Sequence, residues 1–367
     1  MKISVDCRMI NSSGVGAYLK GCLPYFIESE NDFLLIGDGR KLSQFGGYNV
    51  SILDCAVKPF SVTETFLPPA FLYKAVNKTD LFYSPYFNIP ARIEIPVYTT
   101  IHDIIFPDMP ELCSRAGLAA RMWFYRRAFK LSKKLFTVSQ FSKNRIEHYL
   151  GNTKPVIVTY GAVKDIVPFD LDAETSVNEK PLLKKSGRFL ESPYILFIGN
   201  IKKHKGISCL LDAFSEARNA GLKYNLVIAG EKNNFRTSDD SGVIEKFINQ
   251  NNEYVMFTGL VSYDELQFLI KKAALLVQPS LYEGFGLPPL EALVCGTPAL
   301  ISDIEVFKEI YRDFPVNYFR AGSSVCLKDK LVEILGGGVP PRVKLTDDLR
   351  QRYIFSKTAL TVMRSFE

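Results

Sequence analysis

Short apolar runs alternate with longer amphipathic stretches along most of the chain, and this alternation constrains the fold more than any single residue. In the first half, KISVDC (2–7), DFLLIG (32–37), VSILDC (50–55), DLFYS (80–84), VYTTI (97–101), LFTVS (135–139) and VIVTY (156–160) read as strands. They are mostly apolar on both faces, as strands of a parallel sheet covered by helices must be. Helices are expected between several of them, at 15–28, 112–133 and 141–149. A second set follows, with YILFIG (194–199), YNLVIAG (224–230), YVMFTG (254–259), ALLVQPS (274–280) and PALIS (298–302). Helices at 207–220, 242–250, 263–272, 288–295 and 304–311 fill its gaps. Such alternation builds βαβ units. The expected architecture is α/β, with two Rossmann-like doubly wound domains at 1–165 and 193–345. A polar, aperiodic connector at 166–192 joins them, and a helix within 346–367 packs back on the first domain. In such sheets ligands bind beyond the carboxyl ends of the strands, so two domains facing each other form a cleft there.

A length of 367 residues suits two domains, and 47% hydrophobic with 23% charged residues excludes a disordered chain. The net charge of +6 is mild. It fits an anionic ligand or an acidic membrane surface and does not demand nucleic acid. Seven cysteines occur without a CxxC pair, which points to reduced thiols in a cytoplasmic protein rather than a disulfide framework or a zinc site. Asp6 interrupts the opening MKISVDCRMI, so this start is a first strand rather than a signal peptide. No apolar run reaches the length of about 18 residues that a membrane span needs.

The most informative segment is VQPSLYEGFGLPPLEALVCGTPAL (277–300). A strand leads into a turn holding Gly284, Phe285, Gly286 and Leu287, and a helix starts near Pro288. Proline suits a first helical turn, where its missing N–H has no intrahelical partner. Free backbone N–H groups at such a helix start attract anions. Glu283 precedes the turn and Glu291 lies one turn into the helix, so one carboxylate is placed for a ligand beside the phosphates and the other for ribose hydroxyls. The plainer alternative is a solvated Glu and a helix-start Glu at an ordinary strand–turn–helix junction.

EGFGLPPLEA followed by GTP resembles the E-x7-E signature of family 4 of the retaining glycosyltransferases, which have the GT-B fold. VDCRMINSSGVGAYL, DLFYSPYFNIP, TTIHDIIFPDMPEL, LFTVSQFSK, YILFIGNIKKHKG, LVIAGEK and VMFTGLVSYDEL follow that family's order over nearly the whole chain. The resemblance implies that Glu283 contacts the donor sugar, that the N–H groups of Gly284–Leu287 contact sugar and phosphate, and that Glu291 holds the nucleotide ribose. It implies that Lys205, just before the helix at 207–220, contacts the donor diphosphate. Asn200 and His204 stand where many members carry an arginine, which leaves the second cationic phosphate contact open between Lys202 and Lys203.

His102 ends the strand at 97–101 and matches the family's HD dipeptide, which implies that it faces the donor sugar near the transferring carbon; Asp103 either orients it or caps the next turn. Gly14 and Gly16 match the family's glycine loop near the donor phosphates and acceptor. The stretch 114–134 carries seven basic residues, Arg121, Arg126, Arg127 and Lys130 among them, and no acid. It is either an ordinary helix with solvated cations or a surface for an anionic acceptor or membrane. Asp170-Leu171-Asp172 imitates a metal-binding DxD but sits in the polar connector, so no metal and no other cofactor is expected.

Likeness to bacterial polysaccharide mannosyltransferases implies a hexose donor, GDP-mannose first and a UDP-sugar second. The acceptor is then a hydroxyl of a growing glycan, lipid-linked or free, as in O-antigen synthesis. The expected location is the cytoplasm, either free or peripheral at the inner face of its membrane. The rival reading is a non-catalytic nucleotide-sugar-binding protein on the same fold.

Overall fold

The structure, a computed structural model, describes residues 1–164, 189–230 and 240–366. Most of the connector at 166–192, with Asp170 and Asp172, lies outside the described residues. The chain divides into two compact units, one of Met1–Asp165 with Tyr353–Glu367 and one of Ile166–Arg352.

The first unit holds seven parallel strands: β1 (Lys2–Asp6), β2 (Asp32–Gly37), β3 (Val50–Asp54), β4 (Leu81–Ser84), β5 (Val97–Thr100), β6 (Ser132–Thr137) and β7 (Val156–Val158). Their order is β3-β2-β1-β4-β5-β6-β7, so the winding direction reverses between β1 and β4. The second unit holds six: β8 (Tyr194–Ile198), β9 (Asn225–Ala229), β10 (Val255–Gly259), β11 (Leu275–Gln278), β12 (Ala299–Ser302) and β13 (Asn317–Phe319). Their order is β10-β9-β8-β11-β12-β13, with the reversal between β8 and β11. All pairings are parallel, and the buried Ile195, Phe197, Leu226, Ile228 and Val277 pack against Leu210, Leu211 and Phe214 of the helix Ile207–Asn219.

The helix Phe355–Arg364 belongs to the first unit, where it packs on the helix Ser13–Ile27. The Phe355 ring occupies the space over Gly21, where a Cβ would lie 2.3 Å from Cε2. Tyr98 donates to the Phe366 carbonyl at 3.2 Å, and Thr358 donates to the Thr159 carbonyl at 3.0 Å.

Some elements depart from the sequence reading. The helix expected over 112–133 ends at Leu131, because Ser132 turns extended and its hydroxyl donates to Ala128 O at 2.7 Å. Lys133 and Lys134 therefore belong to β6. The helices Val62–Phe66, Ala70–Val76 and Ser324–Leu335 and the three-residue β13 were not expected. All seven cysteines are free, and among the described residues no helix is long and apolar enough to cross a membrane.

Candidate active site

In the second domain β8 and β11 are neighbours at the reversal point, with Leu275 beside Ile195 and Leu276 beside Leu196. The loops leaving their carboxyl ends therefore start side by side, where doubly wound sheets bind ligands. The loops are tied together. Leu281 N–H donates to the His204 carbonyl at 2.7 Å. Gly206 has φ +67°, and a Cβ there would lie 2.0 Å from the Pro279 carbonyl oxygen, so glycine is required for this approach.

The approach brings Lys205 onto Glu283. The ammonium donates to both carboxylate oxygens, at 2.7 and 2.8 Å. Ser280 Oγ donates to Oε1 at 2.8 Å, and Gln278 Nε2 reaches the same oxygen at 3.4 Å. Glu283 is only 8% exposed. Burial pushes its carboxyl up, but the Lys205 charge and the hydrogen bonds from Lys205 and Ser280 outweigh it and hold the group below the usual range. A buried carboxylate and a less buried cation thus stand paired at a loop crossing. The sequence reading gave these two residues separate tasks and missed their coupling. It also missed Gln278, Ser280 and Gly206; the available signals were the QPS ending the strand and the glycine closing KKHKG.

Gly284, Phe285 and Gly286 form the turn after Glu283, and the helix Leu287–Val294 follows with both prolines in its first turn. Gly286 has φ +83°, and a Cβ would meet Phe307 Cε1 at 2.3 Å. Leu290 N–H donates to Tyr311 Oη at 3.1 Å, and that hydroxyl donates to the Gly286 carbonyl, which fixes the turn against the helix. The N–H groups of Gly286 and Leu287 have no partner among the described residues. They are donors for an anion at the helix start.

Glu291 lies on that helix, and its carboxylate has no hydrogen bond among the described residues. Burial pushes it up to about 7. An acid whose folded pKa exceeds its unfolded value holds more protons when folded, so its burial costs stability as pH rises from about 4.5 through about 7. Glu291→Gln is therefore expected to raise the melting temperature relative to wild type at pH 8 and to change it little at pH 4.5. An equal shift at both values would remove the titration as its cause.

His204 is pushed down to about 4 by burial and the neighbouring Lys205, so its ring is neutral near pH 7. Lys202 and Lys203 are exposed in the same loop.

In the first domain His102 follows β5. Its Nε2 donates to the Pro85 carbonyl at 2.9 Å, which leaves Nδ1 as an acceptor in the neutral ring. Tyr18 packs edge-on against it at 5.0 Å, and burial depresses the imidazole to about 4. Asp103 accepts the Ile105 N–H at 3.3 Å. Gly14 and Gly16, matched from sequence to the family's glycine loop, lie inside the helix Ser13–Ile27. Gly14 faces open space, whereas a Cβ on Gly16 would lie 2.4 Å from the Ile10 carbonyl oxygen. Beyond β1, Arg8 sits between the buried carboxylates of Asp6, at 2.6 Å, and Glu64, and Asn88 donates to both acids at 2.8 and 3.0 Å. The sequence reading missed this network, whose members are far apart in the chain.

The basic helix runs from Arg115 to Leu131. Arg126, Arg127 and Lys130, with Trp123, line a cavity of about 570 Å³ bounded by residues 89–95 and Val97. Arg127 donates to the Ile89 carbonyl at 2.5 Å. Arg121 does not line it; its guanidinium lies 4.2 Å from the Phe106 ring centroid and donates to Gly117 O at 3.1 Å.

Residues 178–325 match the family model described as "Glycosyl transferases group 1". Among curated proteins, the chain is 29% identical over 244 residues to O-antigen chain mannosyltransferase B of Escherichia coli, covering 64% of this chain and 60% of that protein. It is 32% identical over 165 residues to O-antigen chain mannosyltransferase RfbU of Salmonella typhimurium, covering 43% and 44%. The matches thus span between under half and three-fifths of these relatives' own lengths. Among solved structures, Anabaena Alr3699/HepE in complex with UDP and glucose aligns with TM-score 0.74 and 16% identity over 100% of this chain and 99% of that one. Sucrose-phosphate synthase from Thermosynechococcus elongatus aligns with TM-score 0.72 and 14% identity over 100% and 98%. At these identities the likeness shows the fold, which is GT-B.

Proposed function

With residues 178–325 matching the family model of the group 1 glycosyl transferases, we propose that the chain is a retaining hexosyltransferase. It takes mannose from GDP-mannose and gives it to a hydroxyl of a growing, lipid-linked bacterial surface glycan. The observation that carries this reading is the Lys205–Glu283 pair at the β8/β11 reversal, one turn before a helix start with unpartnered N–H groups. A diphosphate fits there, because the ammonium and the N–H groups both stabilise negative charge.

Each residue then has a task in its own domain. Lys205 neutralises the leaving diphosphate. Glu283 accepts hydrogen bonds from the sugar, and the Gly284–Leu287 turn contacts sugar and phosphate. Glu291 accepts from the ribose. Neutral His102 accepts a hydrogen bond from a sugar hydroxyl at Nδ1, and the segment of Gly14 and Gly16 serves the donor phosphates and acceptor. In the step itself the bond from the sugar C1 to the phosphate oxygen breaks, and the acceptor oxygen bonds to C1 on the same face. The departing phosphate oxygen takes the acceptor proton. Positioning and charge stabilisation supply the catalysis, without a protein nucleophile. Arg121, Arg126, Arg127 and Lys130 belong to the acceptor side. The reading puts the protein in the cytoplasm, peripheral at the inner membrane face.

A donor screen with anomeric assignment of the product tests this. Expected is transfer from GDP-mannose with retention, at a rate unchanged by a chelator. A preference for UDP-glucose, the ligand of the Anabaena protein in another of its complexes, would move the donor to a UDP-sugar. Inversion, or activity abolished by chelation and restored by manganese, would overturn the mechanism. Donor binding without transfer would favour a non-catalytic binding protein.

A further inference from the structure

His102 owes its orientation to a main-chain carbonyl. Its Nε2–H is spent on Pro85 O, so whatever holds Pro85 decides which ring nitrogen is left for a ligand. Pro85 begins the loop that leaves β4, and Tyr86 of the same loop stands beside the imidazole at 6.3 Å between ring centroids. Ser84 closes the loop on itself. Its hydroxyl donates to the Tyr86 carbonyl at 2.5 Å and to the Asn88 carbonyl at 2.7 Å.

Asn88 ends this turn and is 2% exposed. Its amide donates to Asp6 and Glu64, the two acids that flank Arg8. Arg8 also donates to the Val57 carbonyl at 3.1 Å, and Glu64 accepts the Phe60 N–H at 2.5 Å. Phe60 has φ +61°, a strained value that persists only where the surroundings impose it. One guanidinium and one amide thus tie together the connections that leave the carboxyl ends of β1, β3 and β4. β1 and β4 are neighbours at the reversal of this sheet, where doubly wound folds bind ligands. A buried cation between two carboxylates is a poor source of stability, because desolvation of the charges offsets their attraction. Its use here is geometric, since a planar fork fixes angles as well as distances.

Resting on the sugar contact assigned to His102 above, we propose that Arg8 and Asn88 are positioning residues for His102. The Asp6–Arg8–Glu64 knot fixes Asn88, and Asn88 fixes the turn at 84–88. Pro85 in that turn keeps the imidazole proton on Nε2 and leaves Nδ1 open to the sugar hydroxyl. Neither residue need touch the donor; both act through the ring.

The chain has three histidines, so the imidazole nitrogens of the isotope-labelled full-length protein can be followed by long-range proton–nitrogen NMR, with His102→Gln to assign the signals. Wild-type His102 is expected to show a protonated Nε2 and a bare Nδ1. Asn88→Ala leaves Arg8 between its acids and cuts the link to the turn. Its two His102 nitrogen signals are expected to draw together, as in a ring that shares its proton between both nitrogens. Its kcat is expected to fall by up to about 100-fold, the cost of displacing a reacting group by about 1 Å. Affinity for GDP should stay at the wild-type value, because the contacts proposed for Lys205 and Glu291 lie in the second unit. Arg8→Lys keeps the charge without the fork and should act in the same direction, more weakly. Val76→Ala, a core change in the same unit, should lower the melting temperature and leave the His102 signals as in wild type.

A wild-type His102 pattern in both Asn88→Ala and Arg8→Lys would overturn the positioning role. So would merged signals in Val76→Ala, which would make general loss of stability the cause. Merged signals in Asn88→Ala with transfer undiminished would uphold the positioning and overturn the sugar contact of His102 alone.

Discussion

Glu283→Gln is expected to lower kcat by two to three orders of magnitude, about the loss seen when one electrostatic contact to the reacting centre is removed, while the protein stays folded. The amide has nearly the carboxylate's shape, so Ser280 and Gln278 keep a neighbour of the same size. What disappears is the charge that holds Lys205 in place at 2.7 Å. The ammonium is then free to bind ground-state phosphate too tightly or in the wrong place, and the sugar loses its acceptor. Steady-state kinetics separate these effects, since a contact used mainly in the transition state lowers kcat and kcat/KM together. Turnover near the wild-type value would take Glu283 out of the chemistry.

Lys205→Met acts on stability as well as on the donor. It leaves Glu283 buried without its cation, and breaking a buried pair in this way costs about 3–5 kcal/mol. The sign of the pH dependence follows from Glu283. Its folded pKa is held below the ordinary carboxylate value of 4.5, so in wild type the pair stabilises fully above that value and the contribution fades as pH falls through the folded pKa. Without Lys205 burial is opposed mainly by the Ser280 hydrogen bond, and the carboxyl is expected to be pushed up. The stability gap between wild type and mutant is therefore expected to be widest at pH 7–8 and to narrow toward pH 4. Denaturant titrations at several pH values measure it. The double variant Lys205→Met with Glu283→Gln should recover much of the loss, because no charge is then buried alone. A constant gap at all pH values would mean that the pair is not electrostatic in origin.

The two sheets were legible because each strand is a short run apolar on both faces and each gap is long enough for a covering helix. β13 was not, since three residues show no period. The helices Val62–Phe66 and Ala70–Val76 were hidden because Pro68 and Pro69 break the stretch into pieces shorter than a recognisable amphipathic repeat. Within the site, Glu283, Glu291 and the glycine turn are local in sequence, and the strand–turn–helix context gave them meaning. The Lys205–Glu283 pair is not local. Its members are 78 residues apart and meet only because β8 and β11 are neighbours, a fact of sheet order rather than of any motif. Gly206 looked like the end of a basic turn; its need for a left-handed backbone appears only when the Pro279 carbonyl comes close. The basic stretch at 114–134 was legible as charge, but Phe66 beside Trp123 depends on packing between segments far apart in the chain.

Lys205 is expected to hold the diphosphate of a nucleotide sugar at the β8/β11 reversal. Calorimetric titration of wild type and Lys205→Met with GDP-mannose and with GMP, which lacks the second phosphate, tests it most directly. The expected result is that the mutant loses about 10–100-fold in affinity for GDP-mannose, the size of one charge-assisted contact of about 1.5–3 kcal/mol, and binds GMP as wild type does. Equal affinity of both proteins for GDP-mannose, or an equal loss for GMP, would remove Lys205 from the diphosphate site.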